Sequence, residues 1–252
     1  MKVLLSPAKS ISPNIKVKTD LYTRPIFINE ADFLMKKLKR FSPKKIKDLM
    51  NVSDDIAQLN FERFQKWDEN FEFAGEVQQT IASFNGEAYR GFDSSSLTEK
   101  ELQIAQDKVR ILSGLYGILK PLDILFPYRL EMGTKWEVTA TKKNLYQFWG
   151  DKLCQALNQE ESEVIVNVAS NEYFKAVHPK KLKAKIITPI FKEFKDGQYK
   201  VVMVFAKKAR GSMARFIVQN NVSDPEEIKL FNTGGYQFDA NLSSEKDWVF
   251  TR

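Results

Sequence analysis

Cysteine and histidine are almost missing: the 252-residue chain has one of each. A single cysteine, Cys154, excludes an internal disulfide, and with only His178 beside it there is no ligand set for a structural zinc site or a histidine-rich iron centre. In "WGDKLCQAL" the thiol falls on the apolar side of an amphipathic stretch, which reads as a buried structural cysteine. His178 stands before Pro179 at a helix end, where a cation suits the helix dipole. No run of about 18 uncharged apolar residues occurs. The N-terminal "MKVLLSPAK" lacks the long apolar core and cleavage site of a signal peptide, so a cytosolic protein with no membrane partner is expected. The G-x-G-x-x-G, Walker and G-x-S-x-G signatures are missing as well. The expectation is no metal and no cofactor.

What the chain does have is clustered positive charge. Hydrophobic residues make up 43% of it, enough for one compact domain over 1–252, and no repeat or linker divides it. The net charge of +7 is unevenly spread. "KKLKRFSPKKIK", residues 36–47, carries seven Lys or Arg and no acid, and "KAVHPKKLKAK", residues 175–185, carries five lysines and no acid. A third cluster, "KKARGSMARF" (207–216), sets Lys207, Lys208, Arg210 and Arg215 around Gly211. Such clusters attract polyanions through counterion release; the plainer use is a set of solvated helix faces.

Periodicity and capping signals divide the chain into elements. Met1–Leu5 is a short β-type run, followed by loop to Pro25. Residues 30–40 read as helix with Phe33, Leu34 and Leu38 on one face. Ser42-Pro43 opens a short helix with Ile46, Leu49 and Met50 inward, and Ser53 caps a second with Ile56, Leu59, Phe61 and Phe64 as its apolar side. Helices are expected over Glu76–Phe84 and Thr98–Gln106, the latter with Thr98 and Glu101 as a capping box. Val109–Leu112 and Glu163–Ala169 are compact apolar strands with a helix, Asn144–Leu157, between them. Lys185–Glu193 and Tyr199–Ala206 read as strands joined by a hairpin at Asp196-Gly197. The fold class that follows is α/β, of mixed α+β character, with a central mixed sheet flanked by helices.

The segments after the predicted strands hold the candidate chemistry. They are Ser6-Pro7-Ala8-Lys9, Ser113-Gly114-Leu115-Tyr116-Gly117, Ser170-Asn171-Glu172-Tyr173 and Lys208-Ala209-Arg210-Gly211. In open α/β sheets, ligands bind outside the carboxyl ends of the parallel strands. Ser6, Ser113, Gly114, Gly117, Ser170 and Gly211 are the small residues that let backbone approach an anion there. Lys9, Arg210 and Arg215 would supply charge. "PYRLEMG" (127–133) adds Tyr128, Arg129 and Glu131, either as an anion clamp and proton-transfer group or as an Arg129–Glu131 ion pair holding a loop. An antiparallel last strand would carry "KKARG" to the opposite edge.

The motifs "LLSPAK" (4–9), "LSGLYGILKPLD" (112–123), "PYRLEMG" (127–133), "LYQFWGD" (145–151), "NVASNEYFKAV" (167–177) and "KKARGSMARFI" (207–217) together resemble the YaaA family of bacterial peroxide-stress proteins. The resemblance implies a cytosolic protein that protects against hydrogen peroxide by keeping unincorporated iron low and that binds DNA through a positively charged cleft. It also implies a helix-hairpin-helix element, which corresponds here to 42–67. This sequence departs from that pattern, because Asn51-Val52-Ser53 replaces the glycine-rich hairpin and Asp54 and Asp55 stand where a phosphate would bind. Lys44, Lys45 and Lys47 on the first helix are then the expected contacts, with little sequence specificity.

Two functional readings stand. One is a non-enzymatic DNA-binding stress protein using Lys44, Lys45, Lys47, Lys207, Lys208, Arg210 and Arg215. The other is an enzyme acting on a nucleic acid or a phosphorylated small molecule, with Lys9, Tyr116, Arg129, Glu131 and Asn171 as candidates for clamp, acid and base. An anionic small molecule is a candidate ligand under the second.

Overall fold

A computed structural model describes residues 1–12, 16–71 and 77–252. At its centre is an eight-stranded mixed sheet: β1 (Lys2–Leu5), β2 (Val109–Ser113), β3 (Gly117–Leu119), β4 (Val164–Asn167), β5 (Lys185–Lys195), β6 (Gln198–Lys200), β7 (Gln237–Phe238) and β8 (Asp247–Thr251). The order is β7-β8-β5-β4-β1-β2-β3, with β6 pairing β5. β1, β2, β4, β5 and β8 are mutually parallel, and β3, β6 and β7 pair antiparallel to their neighbours. The parallel strands bury Val3, Leu4, Leu5, Ile111, Leu112, Ile165 and Val166 almost completely, as strands covered on both faces do.

The principal helices are α1 (Ile28–Leu38), α2 (Pro43–Met50), α3 (Asp54–Gln65), α4 (Glu87–Phe92), α5 (Glu99–Lys108), α6 (Leu145–Trp149), α7 (Lys152–Gln159) and α8 (Met203–Gln219). Several caps form where the sequence places them. The Ser42 and Ser53 hydroxyls accept from the N–H groups of Lys45 and Ile56, and Thr98 and Glu101 close a capping box. Asn51, at φ 49°, turns the chain between α2 and α3. The pair buries Ile46, Ala57 and Phe64, whereas Leu59 is exposed. Phe33 is likewise exposed on α1, which turns Ala31, Leu34, Met35 and Leu38 inward.

Other expectations are corrected. Of the expected helix Glu76–Phe84, Glu76 lies outside the described residues, and the rest divides into strand pairs at Gln78–Gln79 and Phe84–Asn85 with one helical turn, Thr80–Ser83, between. The Asn144–Leu157 helix breaks at Gly150 into α6 and α7. The largest correction is Tyr199–Ala206. The hairpin turns at Asp196 (φ 53°) and Gly197 (φ 74°) as expected, but β6 ends at Lys200 and α8 begins at Met203. "KKARG" is therefore the middle of a helix, and no strand precedes it directly.

The reason lies in the spacing downstream. Ala206, Ala209, Met213, Ala214, Ile217 and Val218 recur at three- and four-residue intervals and form the buried face of α8. Val201, Val204 and Phe205, which suggested a strand, remain exposed. Contact with α4 holds the helix in place. A Cβ added at Gly211 would stand 1.7 Å from the Ala88 carbonyl oxygen, and one at Gly91 would stand 2.1 Å from that of Lys208. Gly211 thus serves close packing of two backbones.

Gly211→Ala is expected to cost about 2 kcal/mol despite alanine's better helix propensity, because the obstructing atom is backbone and cannot rotate away. Urea unfolding measures this. A midpoint equal to that of the parent would refute the close contact.

Candidate anion-binding crevice

The connections leaving β1 and β4 diverge, because β1 leads to β2 on one side of the β1–β4 pair and β4 leads to β5 on the other. Adjacent parallel strands with diverging connections leave a crevice at their carboxyl ends, where ligands of α/β sheets bind. A cavity of about 760 Å³ opens there. It is lined by Leu5–Ser10 after β1, Val168 and Ser170–Tyr173 after β4, Tyr128–Glu131, Asn85–Tyr89, and Met203, Lys207 and Arg210 from α8.

Hydrogen bonds tie its floor together. The Ser170 N–H donates to Ser6 Oγ at 2.8 Å, the Ser6 hydroxyl donates to Ser170 Oγ at 3.3 Å, and the Tyr89 hydroxyl donates to the Ser6 carbonyl at 3.0 Å. These bonds fix the ends of β1 and β4 and the start of α4 relative to one another. Glu172 Oε1 accepts from the Gly133 N–H at 2.8 Å, which anchors the "PYRLEMG" segment.

Glu131 sits between two cations, with Lys9 Nζ at 2.9 Å and Arg129 Nη2 at 3.1 Å. The Arg129–Glu131 pair read from sequence as one alternative is present, and Lys9 joins it. Arg129 Nε is buried and finds no acceptor among the described residues. Arg210 lines the same cavity, half-buried, and burial pulls its guanidinium pKa below the ordinary arginine value. Tyr89, Tyr128 and Tyr173 form apolar walls, and burial holds their hydroxyls well above the usual tyrosine pKa and hence neutral.

Several sequence candidates thus meet in one place: Ser6, Lys9, Arg129, Glu131, Ser170, Asn171, Lys207 and Arg210. Others stand elsewhere. Ser113 is fully buried, its Oγ 2.5 Å from the Tyr128 hydroxyl, so it supports the cavity wall from behind. Gly114, Gly117 and Gly211 are not among the lining residues. Tyr116 is in the core, where its hydroxyl accepts from the Phe126 N–H at 3.0 Å and burial raises its pKa well above the ordinary value.

Arg215 is committed to structure: its guanidinium donates to the carbonyls of Phe92 (2.8 Å) and Asp93 (2.7 Å), at the C-terminal end of α4, and to Ser96 Oγ (2.7 Å). Lys44, Lys45 and Lys47 lie on α2, outside the cavity lining, and Lys47 pairs with Asp54 at 2.8 Å. In the cluster 175–185, Lys181 pairs with Asp151. His178 lies 3.1 Å from the same carboxylate, and Cys154 is buried.

Sequence reading passed over Asn85–Tyr89, although Asn85-Gly86 is a turn signal before α4. Among the described residues, no group of three or more His, Cys, Asp or Glu is placed to hold a metal ion, and no helix is long and apolar enough to cross a membrane.

Four of the six motifs named above, 4–9, 127–133, 167–177 and 207–217, contribute residues to this crevice, and comparison with known proteins agrees with the resemblance. Residues 1–242 match the family described as peroxide stress protein YaaA. The chain belongs to that family. UPF0246 proteins are similar over its whole length: one from Burkholderia lata is 47% identical, one from Burkholderia orbicola 46% and one from Aliivibrio fischeri 48%, in each case covering 100% of this chain and 98% of the relative. Membership supports a general role in oxidative stress.

The geometry separates two arginines that look alike in sequence. Arg215→Ala is expected to lower stability by about 1–3 kcal/mol through loss of charged hydrogen bonds, and to leave anion binding unchanged. Arg210→Ala is expected to change stability little. Paired denaturation and anion-binding measurements check this, and a reversed pattern would contradict the assignment.

Proposed function

We propose that this protein acts in peroxide defence by binding the phosphate backbone of DNA, with Lys9, Lys207, Lys208 and Arg210 as contacts at the crevice and Lys44 and Lys45 as further contacts on α2. The observation that carries this reading is that Lys207 and Arg210 face the same cavity as Lys9, although about 200 residues separate them in sequence. Lys207 and Arg210 have no ion-pair or side-chain hydrogen-bond partner among the described residues. Lys208 is exposed beside them on α8. Lys44 and Lys45 are likewise exposed.

Charge of this kind neutralises phosphates and releases counterions, which gives affinity without reading bases. Asp54 weakens the case for the α2–α3 turn as a phosphate grip, because it sits in the first turn of α3 and neutralises Lys47. Shielding of DNA offers a physical alternative to the lowering of free iron implied by the family resemblance. Protein bound along the phosphates displaces loosely held ferrous ions as counterions.

Affinity for duplex DNA is expected to fall steeply as salt rises, alike for unrelated sequences. Lys207→Glu with Lys208→Glu is expected to reduce the log–log salt slope by roughly 2. Fluorescence anisotropy across a salt series measures both. Salt-independent binding, or a slope unchanged in the double variant, would overturn the proposal.

A further inference from the structure

The charges lining the crevice do not cancel evenly. Glu131 is shared between Lys9 and Arg129, and Glu87 is engaged by Arg90 outside the cavity. Glu172, which accepts from the Gly133 N–H, keeps its negative charge and offsets the surplus cation of the Lys9–Glu131–Arg129 group. Lys207 and Arg210 remain, two cations from successive turns of α8 that line the same space, neither in an ion pair among the described residues. Arg129 lines the cavity as well, held there by Glu131.

Two uncompensated positive charges match a dianion better than a monoanion. A phosphomonoester carries about −1.5 to −2 at pH 7, with its second pKa near 6. An internal DNA phosphate is a diester with a single charge, and its chain must leave on both sides. The crevice is walled by the segments after β1 and β4, by Tyr128–Glu131 and by α8, which suits a group that ends there. Its volume of about 760 Å³ is within the range of small-ligand sites, and Tyr89, Tyr128 and Tyr173 offer apolar wall to an organic group.

We propose that the crevice is a phosphomonoester site, in which Arg210, Lys207 and Arg129 hold a terminal phosphate and the tyrosine-lined wall takes the nucleoside or sugar attached to it. The phosphate belongs either to a free mononucleotide or sugar phosphate or to a 5′-phosphorylated DNA end. The site shares Lys207 and Arg210 with the backbone reading but goes beyond it, since a cation array for diesters would not require a cavity walled by tyrosines.

Calorimetric titration of the full chain with thymidine 5′-monophosphate, ribose 5-phosphate, the dinucleotide pTpT and its unphosphorylated counterpart TpT tests this. Thymidine monophosphate and pTpT are expected to bind at least about tenfold more tightly than TpT, the size of effect that loss of one charged contact produces. Arg210→Ala should abolish the difference while leaving the thermal unfolding midpoint unchanged. Affinity should also drop as pH falls through 6, where the monoester gains a proton.

Tighter binding of pTpT than of both free phosphates assigns the site to DNA ends, and the reverse order assigns it to a small metabolite; either supports the proposal. Equal affinity for TpT and pTpT, or retention of the difference in Arg210→Ala, overturns it. Binding of a duplex with hydroxyl ends, measured alongside, shows separately whether the backbone reading holds.

Discussion

The molecule is organised by the hydrogen bonding of β1 on both of its edges. Four residues, Lys2–Leu5, pair in parallel with Val109–Ile111 on one side and Ile165–Asn167 on the other. That double pairing fixes the carboxyl ends of three strands in one row. It also forces the connections after β1 and β4 apart, and the gap between them is the crevice. Ser6 is the first residue past the strand, and its hydroxyl and carbonyl receive Ser170 and Tyr89 respectively. The position of the site thus follows from the register of a very short strand.

The opposite end of the same strands shows what the crevice is not. There Lys2 Nζ meets Asp107 at 2.9 Å and Glu160 at 3.6 Å, and Arg110, almost wholly buried, meets Glu160 at 2.7 Å. Buried cations at the amino ends are thus matched by acids, because an unmatched charge there would be costly. At the carboxyl ends Glu131 answers Lys9 and Arg129, whereas Arg210 and Lys207 are left unanswered. The same chain that compensates its buried charge at one end of the sheet thus leaves two cations unpaired at the other, which is the contrast on which the proposed anion site rests. Helix α8 delivers those two cations, and its placement depends on backbone contact at Gly91 and Gly211.

Much of this was legible in the residues. Capping residues are local signals with local partners, so Ser42, Ser53 and Thr98 act as read. The apolar runs that became β1, β2 and β4 could be located because strands covered on both faces lack polar alternation. The convergence of Ser6, Lys9, Ser170 and Asn171 followed from a general property of parallel sheets. What failed was nonlocal. Tyr199–Ala206 has the composition of a strand, but only its first two residues find a neighbouring edge, and the small residues from Ala206 onward pay for a helix by letting α4 approach. The roles of Gly211 and Arg215 were hidden for the same reason, because their partners, Ala88, Phe92, Asp93 and Ser96, are more than 100 positions away.

A cluster of positive residues in sequence is therefore a poor unit of function in this protein. The run 207–216 supplies two residues that face the cavity, one exposed residue beside them and one, Arg215, that braces another helix. The run 36–47 is divided in the same way: Lys36 and Lys47 are bound to carboxylates, while Lys44 and Lys45 face solvent. Solvated lysines contribute long-range attraction that salt screens within about 10 Å. A half-buried arginine at a cavity wall is screened less than a solvated lysine, because part of its surroundings is protein and not water. Under the proposals made above, one stretch of sequence would then serve anions in two ways, from open solvent and from a cavity wall, and burial is what distinguishes them.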